Sequence, residues 1–402
     1  MGILDPPPVT AVTFRAQRAR ELRTVGKPVL SGAADPDPTV TLGSANAASS
    51  ITNSQYTDYA TTPGVFRMRG GTIGTGTHGG FTMAKVTAPT DPPALSTPFG
   101  AEFAVTGTQC EIRVSPFGTS MSYRVWVDGR VIPGAKLAGA RLSSVTGNAG
   151  YLLLLDWSGT AAPFGKRVVR IELSGAAFGG VVAARENRVS APAESQKLIR
   201  SAWVGDSFLE GTNADTIFSG IAYTASALLG WDEICLAAQG GTGYLNASAV
   251  GGRGTFRSRV ADVIAQDPHH VVVAGGYNDI GVYTAEQTGA EAALYFQALR
   301  AGCPTAKIWA VGPWSLFGPT GATQLAFGAQ IRTAVEAVNG TYVDMYTNPW
   351  ITGTGSVASP PSPLNGNAGI YVTSGGDPHP SPAGHQFYGY EFASAIAAQL
   401  TP

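Results

Sequence analysis

The chain has 402 residues, of which 44% are hydrophobic and only 13% charged, with 52 glycines and 27 prolines. This hydrophobic fraction excludes a largely disordered chain, and the length asks for two or three domains rather than one. A formal net charge of −1 removes the global attraction that nucleic acid or an anionic membrane surface would need.

The first ten residues, MGILDPPPVT, lack the basic n-region and apolar h-region of a signal peptide, and Pro6 breaks the myristoylation pattern. Residues 1–60 are rich in Pro, Ala and Thr and read as an extended arm, with one short basic helix over Phe14–Leu22. An arm with so little apolar content has no core of its own. No apolar run in the chain approaches the ~18 residues of a membrane helix.

Residues 61–195 change to short alternating runs. Glu102–Val105, Cys110–Val114, Tyr123–Val127, Tyr151–Leu155 and Val168–Leu173 read as strands, and Asp128-Gly129 supplies the positive φ angles of a tight hairpin. Closely spaced strands with Gly and Pro between them predict a β-sandwich or jelly-roll domain.

Residues 196–402 alternate strand and helix. Strands are expected to begin near Ile199, Glu233, His270, Ala306 and Thr341. Thr284-Ala-Glu-Gln287 has capping-box spacing ahead of a helix over Glu291–Arg300, whose apolar positions are Ala292, Leu294, Tyr295, Phe296 and Leu299. Further helices are expected over Ala322–Val338 and after Pro382. This rhythm predicts a parallel sheet covered by helices on both faces, with the ligand site at the C-terminal strand ends.

Those strand ends carry chemistry. The first runs into Gly205-Asp206-Ser207, the second into Gln239-Gly240-Gly241-Thr242, and the third into Gly275-Gly276-Tyr277-Asn278-Asp279. Asp377-Pro378-His379 follows near the C-terminus. A serine hydroxyl is a poor nucleophile until a base with a pKa near 7 takes its proton, and a tetrahedral oxyanion needs preorganised donors. Ser207, His379, a glycine N–H and the Asn278 amide would supply that set.

In this order, Gly205-Asp206-Ser207 with Glu210-Gly211, Gly276-x-Asn278-Asp279, and Asp377-x-His379-Pro380 with Gly384 resemble the blocks of the SGNH (GDSL) hydrolases. The resemblance covers residues 198–402. It implies a flavodoxin-like three-layer α/β/α fold, Ser207 as nucleophile and His379 as base. It also implies an oxyanion hole from the Ser207 N–H, Gly241 and Asn278, with Gly240 as the alternative glycine. The family's acid normally sits three residues before the histidine, where this chain has Gly376. Asp377, two residues before, is the candidate acid, and a backbone carbonyl is the alternative orienting group.

The β domain is similar to the N-terminal jelly rolls that precede SGNH domains in some carbohydrate esterases. That similarity points to an acylated glycan as partner, with O-acetyl the expected ester. A Pro-rich arm, a β domain and an esterase without a leader also resemble minor tail proteins of actinobacterial phages. The expectation is therefore an extracellular site of action, either virion-borne, with the arm on other tail proteins and a homotrimer in view, or secreted. The rival from another class is a glycan-binding virion or surface protein that has the hydrolase fold but no turnover.

The remaining candidates are weaker. Tyr244, Tyr277, Trp314 and Trp350 follow strand ends and read either as pocket lining or as core. His385 reads as structural, His269 and His270 as surface residues at the far end of the sheet, and His78 has no evident partner. Cys110, Cys235 and Cys303 read as buried free thiols, and no residue spacing fits a metal. No cofactor is expected.

Overall fold

The computed structural model describes residues 37–88, 97–132, 139–193, 198–315, 321–353, 366–374 and 377–400. The predicted helix over Phe14–Leu22 and the family's usual acid position at Gly376 lie outside them. The chain forms two compact units that part between Lys197 and Leu198.

The N-terminal unit is built from two antiparallel sheets of seven strands each. One runs in the order Thr39–Leu42, Tyr151–Asp156, Gln109–Pro116, Ala176–Ala184, Phe81–Ala88, Thr72–His78, with Ser54–Asp58 also on Ala176–Ala184. The other is centred on Met121–Val127, Lys166–Ser174 and Phe99–Thr106. Side chains from both sheets share one core, including Phe103, Val125 and Ile171 from one and Ile112, Leu153 and Phe178 from the other. All five predicted strands are present. Asp128 and Gly129, at φ +50° and +78°, turn the hairpin that pairs Val127 with Arg130.

Two features depart from the sequence reading. The β unit begins well before residue 61, because Thr39–Leu42 pairs with Tyr151–Asp156 and Ser54–Asp58 with Ala176–Ala184. Thr39–Leu42 is only four residues long and Ser54–Asp58 is polar, so neither carries the apolar run by which a strand is recognised. In addition, Arg124, on the outward side of Met121–Val127, is buried and ion-paired to Glu172 at 2.5 Å, while Trp126 donates to the same carboxylate.

The C-terminal unit holds a five-stranded parallel sheet. Its order is Glu233–Ala238, Arg200–Gly205, His270–Ala274, Lys307–Val311, Thr341–Tyr342, that is 2-1-3-4-5, the flavodoxin-like order. Because side chains alternate along a strand, Trp203, Leu236, Val272 and Trp309 face one core, with the helices Ile221–Leu229 and Pro382–Leu400. Ala202, Val204, Val271, Val273 and Ile308 face the other, with Ala285–Gly302 and Ala322–Glu336. The first four strands are buried on both sides along most of their length, as a parallel sheet requires.

The predicted capping box is formed. Thr284 Oγ1 accepts from the Gln287 N–H at 3.2 Å, and the Thr284 N–H donates to Gln287 Oε1 at 2.9 Å. Leu294 breaks the predicted apolar face, since it is 48% exposed. The three cysteines are buried and free. No described helix is long and apolar enough to cross a membrane.

Candidate active site

The first strand delivers the nucleophile. Gly205 ends it where a Cβ would meet the Ala274 carbonyl at 2.5 Å, so only glycine lets the two strands close up here. Asp206 then caps the short helix Ser207–Glu210 by accepting from the Phe208 N–H at 3.1 Å. Its buried carboxylate also accepts from Trp314 Nε1 at 3.0 and 3.1 Å. Burial pushes Asp206 up to about 7, against these bonds and the Arg259 charge.

Asp377–Pro380 forms a two-stranded ribbon with Val372–Ser374 and returns the histidine to the nucleophile. His379 Nε2 lies 2.7 Å from Ser207 Oγ, and His379 Nδ1 lies 2.5 Å from Asp377 Oδ1. With the proton on Nδ1, that nitrogen donates to the carboxylate and Nε2 accepts from the serine hydroxyl. The shortened spacing works because Asp377 Oδ1 also accepts the His379 backbone N–H at 3.1 Å, curling the tripeptide. Asp377 Oδ2 is held by Asn213 Nδ2 at 2.8 Å. Burial alone would raise the Asp377 pKa, but the Asn213 and His379 hydrogen bonds outweigh it and hold the carboxyl below its ordinary value. Phe208 packs against the imidazole, ring centres 5.2 Å apart, and stacks on Trp314 at 4.7 Å.

The other two strand ends close around this chain. Asn278 lies in a turn over Tyr277–Asp279, and its Nδ2 donates to the Thr242 carbonyl at 2.9 Å, leaving one amide hydrogen for a ligand. Asp279 accepts the Tyr244, Leu245 and Asn246 N–H groups at 2.8, 3.0 and 2.8 Å, which fixes the loop after the second strand. Burial raises its pKa in spite of these bonds. Gly240 packs beside Ser207, with an added Cβ 3.4 Å from Ser207 Cβ, while Gly241 takes φ +75°. Neither the Gly240 nor the Gly241 N–H donates to any group among the described residues.

Ser207, Gly240, Gly241, Asn278 and His379 thus line one cavity of about 340 Å³. Tyr277 is on its wall, as one of its two readings expected. Tyr244 is not. It is fully enclosed among Phe256, Tyr295 and Phe296, because the Asp279 clamp turns it inward. Trp314 and Trp350 are core residues. His385 donates from Nε2 to the Thr212 carbonyl at 2.6 Å, and burial pulls its pKa down to about 4, so it stays neutral behind the site. His269 accepts the Arg200 N–H at 3.0 Å at the opposite end of the sheet. His270 is not a surface residue, being stacked on Trp231 at 4.4 Å and Trp309 at 6.5 Å. His78 finds Asn148 Oδ1 at 3.3 Å and the edge of Phe117. No group of three metal-ligating side chains occurs among the described residues.

The sequence reading missed Glu210, Thr212, Ser248, Val250 and Arg253, all on the cavity wall, and Asn213 behind Asp377. Glu210 stood inside the first block, one turn from the serine, and was the one detectable signal.

Residues 203–387 match the model of the GDSL-like Lipase/Acylhydrolase family. No curated protein matches the chain. Many solved structures share the fold, and three of them follow. A salicylyl-acyltransferase from a tetracycline biosynthetic pathway aligns with TM-score 0.60 and 13% identity, over 87% of this chain and 98% of that one. An acetyl xylan esterase from Butyrivibrio proteoclasticus aligns at 0.56 and 15%, over 87% and 99%. A family two carbohydrate esterase from Cellvibrio japonicus aligns at 0.55 and 12%, over 89% and 97%. The chain therefore carries a domain of the GDSL-like lipase/acylhydrolase family, preceded by an antiparallel β unit.

Proposed function

We propose that the protein is a serine esterase that removes short acyl groups, acetyl foremost, from a glycan through an acyl-enzyme. The observation that carries this reading is the unbroken hydrogen-bonded chain from Ser207 Oγ through His379 to Asp377 at the cavity wall. His379 Nε2 takes the hydroxyl proton as Ser207 Oγ attacks the ester carbonyl. The oxyanion is met by the N–H groups of Ser207 and the Gly240-Gly241 turn and by the Asn278 amide. The protonated His379 then gives its proton to the leaving alcohol, takes one from water, and the acyl-serine is hydrolysed.

A small acyl group suits the cavity, whose volume of about 340 Å³ lies near the lower limit for small-molecule sites. A polar alcohol suits its wall, which includes Thr212, Ser248 and Tyr277. The non-catalytic alternative drew on the displaced acid. Asp377 within hydrogen-bond distance of His379 supports turnover over binding alone.

The test is hydrolysis of p-nitrophenyl acetate, butyrate and octanoate near pH 8 by the wild type and Ser207→Ala, followed by acetate release from acetylated glycans. Turnover that falls with chain length and is abolished in Ser207→Ala supports the reading. No turnover above Ser207→Ala on any of these substrates overturns it in favour of binding alone.

A further inference from the structure

Resting on that esterase reading, we propose that Arg253 is a positioning residue for the oxyanion hole, registering its donors to the nucleophile through Glu210. Arg253 stands in the loop after the second strand, beyond the Gly240-Gly241 pair and outside the residues that the family blocks name.

The geometry is a closed brace. Arg253 Nη2 donates to Glu210 Oε1 at 2.7 Å, and Arg253 Nη1 donates to the Gly240 carbonyl at 3.1 Å. Glu210 is the last residue of the four-residue helix that begins at Ser207. One end of that helix thus carries the nucleophile, and the other anchors the guanidinium that grips the glycine turn. The two side chains are only 14% and 20% exposed, so the pair is largely desolvated, where a charge-assisted bond is strong and directional.

A trans peptide is planar, and its N–H points opposite to its C=O. Fixing the Gly240 carbonyl therefore fixes the direction of the Gly241 N–H. The preceding peptide is fixed from the other side, since the Gln239 carbonyl accepts from Thr242 Oγ1 at 2.6 Å. The following one is fixed too, since the Gly241 carbonyl accepts from Asn246 Nδ2 at 2.8 Å. Three successive carbonyls are held while the Gly240 and Gly241 N–H groups stay free for a ligand. A Cβ at 240 would lie 2.4 Å from Glu210 Oε2 and 2.7 Å from Arg253 Nη1, so a side chain there would push the brace aside. Without the brace, the Gly240-Gly241 peptide is free to rotate, glycine being the residue that least resists it. A positive charge on its carbonyl also polarises the peptide and strengthens its N–H as a donor.

The test uses Arg253→Met, Arg253→Lys and Glu210→Gln in the full chain, with p-nitrophenyl acetate. Deleting one oxyanion donor outright costs about 100- to 1,000-fold in kcat, so loosening one should cost about 10- to 100-fold in Arg253→Met. KM should stay within about twofold of wild type, because the loss is confined to the transition state. Arg253→Lys should recover part of the loss, and Glu210→Gln, which keeps the shape and frees the guanidinium, should lose less. The decisive readout is inhibition by a boronic acid that forms a tetrahedral adduct on Ser207. Its Ki should weaken in step with kcat, while inhibition by acetate stays unchanged.

Wild-type kcat in Arg253→Met overturns the proposal, as does a rise in KM at constant kcat, which would make Arg253 a substrate contact. If Arg253→Met does not fold, Glu210→Gln and Arg253→Lys carry the test by the same Ki criterion. An inactive wild-type protein would instead defeat the esterase reading itself.

Discussion

Asp206 gives the sharpest test of the electrostatics around the nucleophile. Burial raises its pKa from 3.8 to about 7 in the folded chain. The folded state then holds a proton that the unfolded state has released, between about pH 4 and pH 7. Stability from this group is fully present below pH 4 and is lost as pH rises through 7. A shift of about three pKa units corresponds to roughly 4 kcal/mol at 1.36 kcal/mol per unit. Asp206→Asn keeps an acceptor for the Phe208 N–H or Trp314 Nε1 and removes the titration. The stability difference between variant and wild type should therefore move in favour of Asn by about 4 kcal/mol from pH 4 to pH 8, whatever its absolute value. Urea unfolding at one-unit pH steps would measure it, following the transition in which esterase activity disappears. A difference flat to within about 1 kcal/mol over this range would refute a buried, proton-holding Asp206.

Three further outcomes are expected. Asn213→Ala releases Asp377 Oδ2, so the carboxyl pKa rises toward its ordinary value. With the imidazole's partner no longer anchored, kcat/KM should fall several-fold, read from initial rates of p-nitrophenyl acetate hydrolysis. Asp279→Ala leaves three loop N–H groups without their acceptor and should cost about 3 kcal/mol or more, measured by thermal unfolding. Tyr244→Phe removes a buried hydroxyl that has no hydrogen-bond partner among the described residues, so activity should be unchanged and stability equal or higher by about 1 kcal/mol.

The α/β unit was legible because its signals are local and periodic. Strand starts at Glu233, His270 and Thr341, the Thr284 cap and Pro382 at the head of the last helix all follow from short windows of sequence. Ser207 and Asn278 were legible because each stands directly after a strand or within a tight turn, and His379 because of the Asp-x-His-Pro block that carries it. Arg253 and Asn213 were not, since each acts through a loop whose path depends on partners far along the chain. Tyr244 stayed open between pocket and core because its orientation is set by Asp279, 35 residues on. Ser54–Asp58 was hidden by its polarity, as a strand that contributes backbone pairing more than core.

The bond between Ser207 and His379 joins residues 172 positions apart, and Asn278 comes from a third strand end. No segment of the α/β unit holds a working fragment of the site. During refolding, parallel strands must first pair across long loops, and the entropy of closing those loops slows the process. Catalysis is therefore a late event. Return of esterase activity should lag behind recovery of helical circular dichroism, which makes turnover a more stringent reporter of the native state than any spectroscopic signal of secondary structure.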